Sequence, residues 1–336
     1  MRGGPMSSSS IFEELLASGE HLSLITTKRA LSSMVSLGAL SGKGTGRYVT
    51  YEVSHIGKIF FDVDAKAYCA IEPDLRYGRH NYDFDLIGAI PRTVFTDEEL
   101  NSFNVFTTRY AQKLTDVSSV IIKRELERFI IELSWKSSRI EGNTYTLFDT
   151  EMLLLENKKA PGKTEKETQM IINHKVTFDH IHNNPTYYKD ITKKKIEELH
   201  SFLVKDMGIG NDLRKNVVGI TGSIYRPLDN VYQIEDALSV LVDKISEMSD
   251  PYTKALVSLL GLSYIQPFED GNKRTGRFLA NAILLAHGLP PLSYRSVSEE
   301  DYREAILVFY ELNSLIPFKK IFISQYEFTV DNYTVI

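Results

Sequence analysis

"IQPFEDGNKRTGR", residues 265–277, sets an acid, a small-residue turn, an amide and three cations almost side by side. Gly271, between Asp270 and Asn272, can take a positive φ and let main-chain N–H groups converge on an anion. A helix beginning near Lys273 adds its partial positive charge at the same point. Arg274 and Arg277 are three apart, so they share a helical face and can hold one polyphosphate together. Asp270 is a hard oxygen ligand suited to Mg²⁺ bridging two phosphates. The plainer reading of these residues is a capped, solvated helix start. At the head of the stretch stands Gln266, an amide with no useful basicity near neutral pH.

Around this segment helical periodicity dominates. From "TDEELNSF" to the end, stretches such as "IIKRELERFIIELSWKSSRI" and "EDALSVLVDKISEM" carry apolar residues at i, i+3, i+4, i+7. One interruption, "NVVGITGSIYRP" at 216–227, is β-branched, glycine-containing and ended by a proline, and predicts a hairpin projecting from a helical bundle. Earlier, "IFEELLASG" and "SLITTKRALSSMVSLGAL" read as two short helices, and "LSGKGTGRYVTYEV" as two strands around a glycine-rich turn. The expected fold is mainly α: a helical bundle with a β-hairpin flap, preceded by a small α+β domain. Its divisions are a flexible leader at 1–10, the small domain at 11–58, an aromatic-rich connector at 59–94 and the bundle at 95–336.

The chain has 336 residues, 43% hydrophobic and 25% charged, with a formal net charge of -5. That length allows two domains, and that charge argues against a nucleic-acid coating protein without excluding a local basic face. Cys69 is the only cysteine, which leaves no disulfide framework and suits a reducing cytoplasm. No signal-peptide pattern and no apolar run of membrane-spanning length occurs, so no membrane partner is expected.

The segment "QPFEDGNKRTGR" resembles the Fic family signature His-Pro-Phe-x-[Asp/Glu]-Gly-Asn-x-Arg-x-x-Arg at every fixed position except the first. "SSRIEGN", residues 137–143, resembles the family's inhibitory motif, with Ser137 first, Glu141 as the acid and Gly142 after it, on a helix around 130–143. The resemblance implies a helical core that transfers AMP from ATP, with Mg²⁺, to a Ser, Thr or Tyr hydroxyl of a target protein. It implies that Asp270 holds the metal and that Gly271, Asn272, Lys273, Arg274, Thr275, Gly276 and Arg277 surround the phosphates. Tyr302 would line the nucleotide pocket. Gly219, Ile220, Thr221, Gly222, Ser223, Ile224 and Tyr225 would form a flap that docks an extended target segment by strand addition. Glu141 would pair with Arg277 and misalign the α-phosphate. Autoinhibited relatives often self-associate, so a homodimer is expected as well.

Two positions depart from the family pattern. Gln266 stands where the family has its general-base histidine, and general-base catalysis supplies roughly 10²–10⁴-fold. Nucleotide grip with slow transfer is the consequence. No stand-in is evident: His174, His180 and His182 share a helix that nothing in the sequence brings to the loop. Lys273 stands where many members have glycine and where the phosphorylating Doc branch has lysine, which keeps a kinase-like alternative open, although Arg277 favours AMP transfer. The N-terminal helices and strands resemble a winged helix-turn-helix. Residues 21–51 hold Lys28, Arg29, Lys43 and Arg47 and no acid, so this unit serves either DNA docking or protein contacts. The competing reading is therefore a nucleotide-responsive, catalytically degenerate regulator with a DNA-binding module.

Overall fold

The computed structural model describes residues 4–113 and 117–334, apart from the side chain of Arg47, which lies outside the described residues. The N-terminal unit is a three-stranded antiparallel sheet in the order β1-β3-β2 with two helices. Its strands are β1 (Met6–Ser7), β2 (Leu40–Lys43) and β3 (Thr50–Val53), and its helices α1 (Ser8–Ala17) and α2 (Leu24–Ser36). Leu40 pairs with Val53 and Lys43 with Thr50, and Met6 lies opposite Tyr51. The leader expected at 1–10 is therefore corrected from residue 6 onward. Ser7, within the serine run, accepts a hydrogen bond from the Ser10 N–H at 3.1 Å and so caps α1, which begins three residues earlier than expected.

The stretch at 59–94 follows α3 (His55–Ile59) and contains α4 (Ala65–Cys69) and α5 (Leu86–Ala89). It is wrapped onto the helical body, with Leu86, Ile87, Ile90 and Val94 buried in the main core. That body comprises α6 (Asp97–Lys113), α7 (Ser119–Ile140), α8 (Leu147–Glu156), α9 (Glu165–Asn183) and α10 (Lys193–Val204), then α11 (Val231–Glu247), α12 (Pro251–Ile265), α13 (Asn272–Ala286), α14 (Glu299–Leu312) and α15 (Ile316–Asn332). No helix among the described residues is long and apolar enough to cross a membrane.

The centre of the body is the pair α12–α13. Pro251 opens α12 at a position where its missing N–H costs nothing, and Asp250 caps it by accepting from the Thr253 N–H at 2.7 Å. Nearly every residue of both helices is buried, as an all-round apolar α12 requires. Gly276 makes the pairing close: a Cβ there would stand 2.9 Å from the Leu259 carbonyl oxygen.

The hairpin expected at 216–227 is absent as paired strands. A turn closes from the Ser223 N–H to the Ile220 oxygen at 3.1 Å, but the outgoing arm bonds elsewhere. Arg226 donates its N–H to the His80 carbonyl at 2.7 Å and forms an isolated bridge with Asn81. Long-range partners have taken the groups that a local hairpin would have used.

Candidate functional site

A cavity of about 440 Å³ opens between the C-terminal end of α7, the 266–273 loop, the 219–221 segment and one face of α14. Glu141 and Gly142 enter it from α7, Gln266, Asp270 and Lys273 from the loop, and Tyr302, Ile306 and Tyr310 from α14. Residues far apart in sequence thus meet around one space.

Gln266 terminates α12 in the left-handed region (φ 52°, ψ 58°), a costly conformation for a residue with a Cβ. Its side chain is fully engaged. Nε2 donates to the Ser263 carbonyl at 2.7 Å and lies 3.4 Å from the Tyr310 hydroxyl, while Oε1 accepts from Asn272 Nδ2 at 3.0 Å. Asn272 also ties the turn together, accepting from the Phe268 N–H and donating to the Phe268 carbonyl, both at 2.8 Å. Phe268 is fully buried and stacks on His200 with ring centroids 3.7 Å apart. Gly271, at φ 83°, fits because a Cβ there would come within 3.2 Å of His200 and Val204.

The cations of the loop diverge. Arg277 is fully buried: Nε donates to Ser137 Oγ at 3.0 Å and Nη2 to the Ser137 carbonyl at 2.9 Å. The same Nη2 lies 2.9 Å from Glu141 Oε1, and Lys273 Nζ lies 3.1 Å from Glu141 Oε2. Burial pushes the Glu141 carboxyl up, but Arg277, Lys273 and Arg274 outweigh it and hold the group down to about 2. Glu141 is thus ionised and clamped by two cations. Arg274 departs from the shared face expected for it. Its side chain turns behind the loop toward the Leu203 carbonyl at 3.4 Å, with Asp270 Oδ1 at 3.3 Å, and it does not line the cavity.

Thr275 and Gly276 are likewise corrected as phosphate contacts. The helical turn carries Thr275 to the buried side, 3.2 Å from His200 Nδ1, and Gly276 against α12. Of the flap residues, Gly219, Ile220 and Thr221 line the cavity. Gly222, Ser223, Ile224 and Tyr225 do not, and Tyr225 is buried with its hydroxyl donating to the Tyr264 carbonyl at 2.8 Å.

Asp270 has the chemistry for a hard cation. Its side chain is 47% exposed at the cavity rim, with Oδ1 accepting from the Gly271 N–H at 2.6 Å. Oδ2 is only loosely paired, 3.6 Å from Lys166 Nζ. Burial works against its ionisation, but Arg274 and the Gly271 N–H keep its pKa below the usual carboxylate value. A lone carboxylate beside a space large enough for phosphates matches how Mg²⁺ is commonly held.

Among the described residues, no histidine lines the cavity. His174 does reach the signature helix, contrary to expectation, but from behind: it is buried and packs on Phe278 at 5.1 Å between ring centroids. Burial lowers His174 to about 3 and His200 to about 4, so both are neutral and weakly basic. Sequence reasoning missed Tyr310, although 302, 306 and 310 share one helical face and Tyr302 pointed to it. It also missed His200, Arg214 and Glu311, for which no local signal exists.

Residues 190–284, which hold this loop and the helices around it, match the Fic/DOC family. The chain carries a Fic/DOC family domain. The protein adenylyltransferase Fic of Nematostella vectensis is 30% identical over 193 residues, covering 55% of this chain and 44% of that protein. The chain therefore spans less than half the length of the curated relatives it matches, the corresponding Drosophila melanogaster protein included (28% identical over 219 residues, 64% of this chain and 44% of that protein). Among solved structures, a fragment of C. elegans Fic-1 superposes with a TM-score of 0.60 at 22% identity, over 70% of this chain and 72% of that one. A Fic family protein from Desulfovibrio desulfuricans gives 0.59 at 20% identity, covering 72% and 75%. At such identities the superpositions speak for the fold alone: this Fic domain has the family's helical architecture.

Proposed function

We propose that this chain is a Fic-type protein adenylyltransferase that binds Mg²⁺·ATP, is held inactive by Glu141 and transfers AMP poorly because Gln266 replaces a base. The observation that carries the reading is the 2.9 Å contact between Glu141, which lines the cavity, and the buried Arg277 behind it. A buried arginine on the signature helix is the natural partner for an outer phosphate, and a carboxylate now occupies it. In AMP transfer a target hydroxyl oxygen attacks the α-phosphorus, the bond to the pyrophosphate oxygen breaks, and the hydroxyl proton must leave. Mg²⁺ at Asp270 would neutralise phosphate charge. Asn272 orients the turn beneath it, and Gly219–Thr221 present main-chain groups to an extended target. Gln266 can position the hydroxyl but cannot take its proton, and its Oε1 is already bonded to Asn272. Calorimetric titration of Mg²⁺·ATP tests the nucleotide half of the reading. Binding is expected, weakened roughly tenfold or more in Asp270→Ala; no binding by the unmodified chain would end the reading.

A second reading, a nucleotide-responsive regulator docking on DNA, has its own support. Lys28 and Arg29 are exposed in a stretch free of acids. Lys43 is largely exposed too, 3.6 Å from Glu52. Isotherms on mixed duplex DNA at two salt concentrations decide it, since phosphate docking must weaken steeply with salt.

A further inference from the structure

Arg214 and Glu311 are buried charged residues that the reaction above leaves without a role. Arg214 is 4% exposed and faces main-chain oxygens: Nε donates to Gln266 O at 2.6 Å and Nη1 to Asn216 O at 2.8 Å. Its Nη2 donates to Leu228 O, and its own N–H to Pro267 O at 3.0 Å. One guanidinium therefore joins both roots of the 216–228 segment to the backbone of the signature loop.

Glu311 works on the same segment from the opposite side. It is fully buried at the end of α14. Oε1 accepts from Ser223 Oγ at 2.7 Å and from the Ile224 N–H at 3.2 Å, and Oε2 from the Tyr68 hydroxyl at 2.7 Å. Arg76 closes the cluster, 3.5 Å from Glu311 Oε1, and its Nη1 also donates to the Gly222 carbonyl at 2.9 Å. Tyr68 and Arg76 belong to the connector. Gly78 lets that connector cross α14, since a Cβ there would lie 2.8 Å from the Glu311 carbonyl oxygen. A buried carboxylate with four donors is a strong, directional anchor. Upstream of this anchor, among the described residues, Val217, Val218 and Gly219 have no backbone hydrogen bond in the turns and loops.

We propose that Glu311, with Arg76 on the connector, is a positioning residue that fastens the 222–224 half of the flap so that the 217–221 half is held open for a target segment. Ordering an edge in advance removes an entropic cost from target binding. The connector thereby becomes part of the target-docking apparatus and ties the flap to the chain that leads back to the N-terminal unit. The inference rests on the transferase reading for its consequence, but its geometric half stands apart from it.

The test is amide hydrogen exchange on the full chain, comparing the unmodified protein with Glu311→Gln and Ser223→Ala. Ser223→Ala, at a half-buried residue, removes only the Oγ bond to Glu311 and the one that Oγ accepts from the Tyr225 N–H, so it decides the matter even where Glu311→Gln fails to fold. Exchange at the bonded amides of 223–226 is expected to quicken about tenfold or more while α12 and α13 keep their protection. In the Gln266→His, Glu141→Gly background, with myelin basic protein as a hydroxyl-rich acceptor, KM for the acceptor should rise about tenfold with kcat and Mg²⁺·ATP affinity little changed. Unaltered exchange at 223–226 in the variants overturns the proposal. Quickened exchange without any nucleotide binding instead removes the transferase reading and leaves the anchor standing.

Discussion

At residue 266 the cavity is bounded by a neutral amide held in hydrogen bonds alone, whereas at the other end of the same segment Arg277 is held by hydrogen bonds and by an opposite charge. Gln266 is fixed through Ser263, Asn272 and the nearby Tyr310 hydroxyl. Arg277 is fixed through both oxygens of Ser137 and through Glu141, which Lys273 also grips. Under the proposed function both ends restrain the reaction, in different ways. The Glu141 restraint is a contact between side chains, so anything that draws the carboxylate away can lift it. The Gln266 restraint is a missing proton acceptor, so no change of conformation lifts it. One is reversible and the other is written into the chain.

The largest expected effect comes from removing both restraints together. Gln266→His with Glu141→Gly should label itself from Mg²⁺·ATP at least roughly 10²-fold faster than the unmodified chain, read by intact mass. Equal labelling of the two would mean that Gln266 is no obstacle. Glu141→Gly alone separates the ends. It leaves a fully buried guanidinium with its Ser137 hydrogen bonds but no counter-charge and should cost on the order of 3 kcal/mol in urea unfolding. Mg²⁺·ATP should return part of that stability; unfolding unmoved by nucleotide would show that Arg277 receives no phosphate.

A smaller effect is expected from Lys273→Ala. Its side chain is 37% exposed and reaches Glu141 Oε2, so the loss should be about 1 kcal/mol or less, with only a few-fold gain in labelling in the Gln266→His background. A gain matching that of Glu141→Gly would move the main restraint from Arg277 to Lys273. The smallest effect is one of pH. Glu141 is depressed from 4.5 to about 2 in the folded chain, so its stabilising contribution is complete above the unfolded value and is lost only as pH falls through that interval. The nucleotide affinity of the unmodified chain should therefore show no Glu141-dependent step between about pH 5 and 9. A step near neutrality that Glu141→Gln abolishes would refute the clamp as drawn.

The loop was legible in the sequence because its parts are local: a turn glycine, an acid and cations at helical spacing need no distant partner. The helices of the bundle were legible for the same reason, through periodicity and capping residues. What sequence did not disclose depends on contacts made across the fold. The arms of 216–227 looked like a hairpin, yet Ile224 and Arg226 spend their N–H groups on Glu311 and His80. Arg274 and Arg277 share a spacing, but Leu203 draws one away while Ser137 and Glu141 hold the other. The serine run at the start looked unstructured until a cap and a strand partner were supplied.

Gly276 has a consequence for both ends of the site. Because α13 rests almost on the main chain of α12, the helix that carries Arg277 has no slack in that direction. A methyl at 276 would meet the Leu259 oxygen well inside ordinary contact and lever the whole helix outward. Without altering a single charge, that shift would spoil the seat of Glu141 and the seat of any phosphate at one stroke.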